Sequence, residues 1–187
     1  LEVFGSADPS VDAHIVTAVR QGLEALGVSD VTVQINSIGE DQSKQRIRQL
    51  IVDTLEPIRK DLPEDDQRRL SDNPLRVLDS KEPKTLEILE QVPPLIDQLE
   101  PEDREHFTSV LEFLDQAGVA YELNPRLVRG LDYYTRTVFE VWGDVGGQAA
   151  LAAGGRYDKL VETLGGPATA CSCSPATAWS MYFRSAS

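Results

Sequence analysis

Cysteine, methionine and histidine are all scarce in this 187-residue chain, which has two, one and two of them respectively. Cys171 and Cys173 lie close together near the C-terminal end. No second pair exists to complete a zinc site, so free thiols and no structural metal are expected. His14 and His106 fall in helical stretches with no cysteine nearby and no second histidine one turn on, so each is read as an ordinary histidine and not a ligand. Long apolar runs are missing too. None approaches the ~18 residues needed to cross a bilayer, and no basic stretch followed by an apolar one opens the chain, so a soluble, cytoplasmic protein with no membrane partner is expected. The chain has no initiator methionine, and Leu1 stands inside what reads as a strand, Leu1–Phe4. A start in mid-domain is therefore expected.

Positive charge is also in deficit. The net charge is −13, and residues 1–120 hold 25 acids against 12 bases while the remainder holds six of each. A phosphate-tracking surface needs clustered Lys and Arg, so this balance argues against a DNA-binding or RNA-coating protein. Any RNA contact in the acidic part must use local groups such as Arg68, Arg69 and Arg76.

What is present reads as an α/β chain. Asp8-Pro9-Ser10 starts a helix whose apolar face is expected to hold Val11, Ile15, Ala18, Val19, Leu23 and Leu26, and Val31–Ile35 alternates as a half-buried strand does. From Asp41 a second helix shows Ile47, Leu50, Ile51, Leu55 and Ile58 on one side, with Lys44, Arg48, Arg59 and Lys60 opposite. Six prolines between residues 61 and 101 limit the helices there to short, jointed pieces. Glu102–Gln116 is predicted as one more helix, Val119–Leu123, Thr137–Trp142 and Gln148–Ala153 as strands, Asp144–Gly147 as a turn, and Tyr157–Leu164 as a helix. The expected organisation is a core of residues 1–39 and 119–168, a helical insertion at 40–118 and a divergent tail at 169–187.

The densest chemistry lies in Arg129-Gly130-Leu131-Asp132-Tyr133-Tyr134 and Gly154-Gly155-Arg156-Tyr157-Asp158. A permanent cation with a planar donor fork, several phenols and a glycine-rich turn suit a small charged ligand. An isolated arginine is most often half of a surface ion pair, and an isolated tyrosine a rim residue of a core. In a regular strand Arg129 and Tyr134 would face opposite ways, so the segment is expected to be a loop leading into a strand.

Leu127–Glu140 and Ala153–Asp158 resemble the two histidine-specific motifs of histidyl-tRNA synthetases. The resemblance extends through Asn73–Asp79 and Asn36–Gly39 back to Glu2–Gly5, over roughly residues 1–168. It implies the antiparallel, helix-flanked sheet of a class II synthetase core. It also implies ligation of L-histidine to tRNA(His) with ATP and Mg2+ through a histidyl-adenylate, in a homodimer. Arg129 would be the catalytic arginine, bridging the histidine carboxylate and the α-phosphate. Glu2 and Tyr134 would read the imidazole, Tyr133 and Tyr157 would complete the wall, and Gly154 and Gly155 would allow close packing. Amino-acid activation needs no strong base because the attacking carboxylate is already ionised, so Asp132 and Asp158 are assigned structural roles.

The chain also departs from that pattern. Some family members carry cysteines around the segments here occupied by residues 62–67, 79–80 and 100–103; this chain has none there, so the insertion is expected to fold by apolar packing alone. Ser174–Met181 only faintly echoes the segment that completes the ATP site. The resemblance therefore implies half a site, unable to form the adenylate by itself. The rival is a synthetase-like regulatory subunit of ATP phosphoribosyltransferase that senses histidine. The Thr135-Arg136-Thr137 continuation, the Asn73–Asp79 segment and the full-sized insertion favour the ligase.

Overall fold

The computed structural model describes residues 1–172 and 174–175, apart from 29, 91, 131–132 and 144–149. Asp132, the turn at 144–147, Cys173 and the tail beyond 175 lie outside the described residues.

Asp8 caps α1 (Pro9–Ala25) by accepting a hydrogen bond from the Ser10 amide at 2.8 Å, and Pro9 occupies the first helical position, where no N–H partner is needed. β2 (Val31–Ser37) then crosses the molecule. Gly39 turns the chain into α2 (Asp41–Leu55) with a φ of +63°, and an added Cβ would stand 2.2 Å from that of Ser43, so only glycine fits there. The proline-rich stretch forms the expected jointed series: α3 (Glu64–Asp72) and α4 (Pro83–Leu89), with 3-10 turns at Glu56–Asp61, Pro74–Asp79 and Leu95–Gln98. α5 (Pro101–Gln116) leads to β3 (Tyr121–Leu123) and, after a loop, to β4 (Thr135–Gly143), β5 (Ala152–Arg156) and the short α6 (Leu160–Thr163).

The main sheet has the order β3-β2-β4-β5-β7, where β7 is Ser174–Pro175. It is antiparallel except at one edge, where β3 runs parallel to β2. β1 (Val3–Phe4) pairs separately with β6 (Cys171–Ser172). One segment corrects the sequence reading: Gly154 and Gly155 stand inside β5, opposite Phe139 and Val138, and do not form a turn. β5 is buried along its whole length between β4 and β7, and the backbone ladder claims the glycines for the strand.

Two apolar cores lie against this sheet. Ile15, Val16, Leu23, Phe107, Val110 and Leu114 from α1 and α5 join Val33, Ile35, Phe139 and Val141. Ile47, Ile51, Leu55, Leu70, Leu75 and Leu89 form the second core with Ile38, Val138 and Tyr134. The strand neighbours Val138 and Phe139 thus serve opposite sides, as the two-residue period requires. α5, within the expected insertion, packs on α1 and on β4 of the sheet. The buried face of α1 runs through Asp12, Ala13, Ile15 and Val16, while Ala18 is exposed and Leu26 is 58% exposed. Nor does apolar packing act alone in the helical region. Asp66, 1% exposed, accepts from the Ser80 and Thr85 hydroxyls at 2.6 and 2.7 Å and pairs with Arg69 at 3.2 Å.

A chain of buried charge joins the layers. The Arg156 guanidinium is fully buried and meets Asp12 at 2.7 Å and Asp158 at 3.1 Å, and it also donates to the carbonyls of Ser6 and Asp8 at 3.3 Å. Asp12 faces His106 Nε2 at 3.0 Å, and His106 Nδ1 faces Arg136 Nη1 at 3.3 Å. Arg136 in turn reaches Asp103 at 3.0 Å, and Asp103 accepts from the Ser43 hydroxyl at 2.5 Å. A β-bulge between Thr135 and Val138, with Arg136 at a φ of +48°, directs this side chain to α5.

Burial alone would raise the Asp12 carboxyl, but the His106 hydrogen bond and the Arg156 guanidinium hold it below the ordinary aspartate value. Its stabilising contribution is therefore complete above that ordinary value and is lost as pH falls through the depressed one. Asp12→Asn should cost roughly 3–5 kcal/mol in urea unfolding near neutral pH, because Arg156 would remain buried with its charge only partly balanced, by Asp158. The variant should also flatten the acid limb of the stability curve; an unchanged limb would contradict the pairing. Because a guanidinium only donates and a carboxylate only accepts, His106 must carry its proton on Nε2 and accept at Nδ1. Nitrogen-15 NMR near neutral pH should show that tautomer, and an Nδ1–H signal would overturn the arrangement.

Candidate active site

The loop between β3 and β4 carries Arg129. Its backbone is pinned where Asn36 of β2 donates through Nδ2 to the Leu127 carbonyl at 3.0 Å. Arg129 Nη1 meets Glu140 Oε1 of β4 at 2.5 Å, with both side chains more than four-fifths buried. The loop-into-strand reading of this segment agrees with the described residues on either side of 131–132.

Tyr133, half-buried, and Tyr134, 1% exposed, lead into β4. Their ring centroids are 4.7 Å apart, and Tyr157 meets them edge-on at 5.9 and 6.4 Å. Such tilted and edge-to-face contacts are the favoured aromatic geometries. The Tyr157 hydroxyl donates to Glu2 Oε1 at 3.0 Å, tying the N-terminal strand to the end of β5. Gly155 lies beneath Tyr134: an added Cβ would stand 2.7 Å from the ring and 2.8 Å from the Thr137 carbonyl. Gly154, beside it in the strand, is equally buried.

The structure therefore brings Arg129, Glu2, Tyr133, Tyr134, Tyr157, Gly154 and Gly155 into one neighbourhood, and it adds residues that the sequence reading passed over. Lys44, expected on a solvent face of α2, is buried and donates to the Tyr134 carbonyl. Glu140 grips Arg129. Arg156, next to Tyr157, anchors the end of β5 from within. A cavity of about 10 Å³ is bounded by Ile38, Lys44, Arg48, Val128, Arg129 and Tyr134, which is room for a single water. The Tyr134 hydroxyl and Arg129 Nε are buried here without a hydrogen-bond partner among the described residues. Burial pushes the Tyr134 phenol well above its usual value, Tyr133 adds to the rise and Arg129 opposes it, so Tyr134 is a hydrogen-bond donor at neutral pH.

The larger cleft, of about 500 Å³, lies elsewhere, between the starts of α2 and α5. Its cations are already engaged: Arg136 by Glu40, Glu102 and Asp103, and Lys159 by Asp41. Among the described residues no group of three or more His, Cys, Asp or Glu is placed to hold a metal ion, and no helix is long and apolar enough to cross a membrane.

A family model described as "Histidyl-tRNA synthetase" matches residues 1–184. The chain belongs to the histidyl-tRNA synthetase family. The match runs past residue 168, where the motif resemblance stops, into the segment set apart as a tail. The chain is 46% identical over 182 residues to the histidine--tRNA ligase of Thermosynechococcus vestitus, covering 97% of this chain and 41% of that relative. The crystal structure of the apo S. aureus histidyl-tRNA synthetase superimposes with a TM-score of 0.70 at 32% identity, over 92% of this chain and 42% of that one. A Bacillus halodurans protein titled as an ATP phosphoribosyltransferase regulatory subunit/histidyl-tRNA synthetase shares the fold, with a TM-score of 0.58 at 23% identity. This family member thus spans about two fifths of the length of the curated relatives it matches.

Gly155→Ala tests the close approach of strand and ring. It should cost roughly 1–3 kcal/mol through overpacking and perturb the near-ultraviolet tyrosine dichroism. A variant as stable as the parent with an unchanged spectrum would show that Tyr134 does not rest on β5.

Proposed function

We propose that this chain is the histidine-recognising part of a protein that ligates L-histidine to its cognate tRNA, using ATP through a histidyl-adenylate. The observation that carries the reading is a convergence. Glu2 and Tyr157, 155 residues apart in sequence, share a hydrogen bond inside a tyrosine cluster whose most buried member borders the Arg129 cavity.

Imidazole has one nitrogen that donates and one that accepts. Glu2 is an acceptor for the first, and Tyr134, kept protonated by its surroundings, is a donor for the second. The cavity beside Tyr134 holds no more than a water, so entry of an imidazole requires the tyrosines to part. Arg129 supplies a permanent cation with a donor left over after Glu140 is satisfied. It suits the place where the histidine carboxylate attacks the α-phosphate, because one fork can align both anions and stabilise the charge that builds between them. Lys44 and Arg48 around the same cavity make the surroundings fit a phosphate. When bound, ATP supplies the activated phosphorus and its pyrophosphate leaving group. Among the described residues no group of three or more His, Cys, Asp or Glu forms a cage for Mg2+.

Homodimerisation and a cytoplasmic location belong to this same reading. The relative at 46% identity bears the ligase name, whereas the likeness to a regulatory subunit, at 23%, concerns the fold alone and gives sensing the weaker support.

Calorimetric titration of the chain with L-histidine is the test. Binding should weaken about 10- to 100-fold in Tyr134→Phe, which loses a hydrogen bond to a buried partner, and should fall in Arg129→Ala as well. Equal affinity in Tyr134→Phe and the parent would remove Tyr134 from the imidazole site.

A further inference from the structure

We propose that Glu140 is a positioning residue for Arg129: it holds one edge of the guanidinium so that the other edge faces the ligand's carboxylate and phosphate oxygens. This rests on the reading of Arg129 given above.

Arg129 comes from a loop, and a long side chain on a loop reaches many rotamers unless something fixes it. Glu140 lies on β4, a central strand, opposite Gln34 of β2 and Ala153 of β5, so its Cα is held from both sides. The 2.5 Å contact from Nη1 to Oε1 is a charge-assisted bond of the short kind. Because the guanidinium is a rigid plane, fixing one Nη fixes the direction of every other donor. The remaining geometry agrees: Arg129 Nε is buried with no partner among the described residues, and the Tyr134 hydroxyl on the same cavity is equally unsatisfied. Native proteins seldom leave two adjacent polar atoms buried and unpaired unless a ligand or water completes them. Glu140 is not a surface acid that happens to be near. Burial pushes its carboxyl above the usual value and Arg129 pulls it back, while Asp79 adds to the rise. It supplies one fixed acceptor and leaves the rest of the fork free, which a second arginine partner would not.

The test is nitrogen-15 NMR on the chain labelled at arginine, with the Arg129 signals assigned from Arg129→Lys. Separate Nη resonances, meaning slow guanidinium rotation, are expected in the parent and in the Glu105→Gln control at an exposed site. They should merge in Glu140→Gln, with Nε–H exchange at least tenfold faster. If Glu140→Gln fails to fold, the parent answers alone: lowering the pH through the Glu140 titration should merge the same signals. Resonances already merged in the parent, or still separate in Glu140→Gln, would overturn the proposal.

Histidine calorimetry adds a cycle that a merely structural role would not reproduce. Glu140→Gln should weaken binding, yet the double variant with Arg129→Ala should bind no worse than Arg129→Ala alone, because Glu140 acts through the arginine. Additive losses would overturn it. If the parent chain binds no histidine, the recognition reading loses its support, and the guanidinium signals still decide the role of Glu140.

Discussion

A guanidinium with no exposed surface is the constraint from which the rest of this fold follows. A buried cation is tolerated only when paired and hydrogen-bonded on nearly every side, and Arg156 meets that demand from three places in the chain. Asp12 answers from α1, Asp158 from the turn after β5, and the Ser6 and Asp8 carbonyls from the segment that follows β1. Each partner fixes a piece of structure. The bond to Asp12 sets the rotation of α1; the carbonyl bonds hold the N-terminal segment against β5 and bring Glu2 within reach of Tyr157. His106 then carries the pattern through Asp12 to Arg136 and Asp103, so α5 is registered against α1 by charge as well as by Phe107 and Val110. The site's shape is thus set partly from behind, by groups that touch no ligand.

Where side-chain period and turn chemistry decide an element, the sequence is legible. α1, α2 and α5 begin at Asp-Pro, after Gly39 and at Pro101, and the proline-rich stretch forms short pieces because proline leaves no other choice. The motif residues lie close together in the fold. Three features escaped for one physical reason: polarity in a sequence is read as exposure, and here it is satisfied inside. Lys44 occupies a polar position of an amphipathic helix and yet is buried, because the Tyr134 carbonyl accepts from it. Asp12 has no place in the apolar face read from the sequence, yet it is fully buried on α1 beside Ala13, Ile15 and Val16. Arg156 stands in a quoted motif without a role, since nothing local shows that its strand is covered on both sides. The glycine pair failed differently. Gly-Gly favours turns in isolation, but a strand accepts it when a ring must pack closely on the backbone, as Tyr134 does on Gly155.

The tyrosine cluster and the ion chain give the site unequal mobility. Arg156 and Asp12 are both fully buried and held by several bonds each, and moving either would strand a charge. The three phenol rings are held by contacts worth about 0.5–1.5 kcal/mol apiece beyond their burial. A small ligand with polar groups to offer can repay the opening of such a cluster, whereas it could not repay a rupture of the charge network. Any rearrangement on binding should therefore fall on Tyr133, Tyr134 and the Arg129 loop, with β5 and α1 acting as the fixed frame.

Global charge and local charge point in opposite directions here, and distance decides between them. A net charge of −13 opposes an anionic substrate in the far field, yet Lys44, Arg48 and Arg129 surround the proposed site. Part of the acid excess is also consumed internally, because Asp12, Asp66 and Asp103 are buried and paired and so add little to the outer field. At physiological ionic strength exposed charges are screened beyond about 8 Å, so the acids scattered over the surface weaken long-range attraction more than they weaken contact at the cavity. Such an arrangement favours recognition after encounter over electrostatic capture at a distance. It suits the proposed selection of a small ligand by hydrogen bonding.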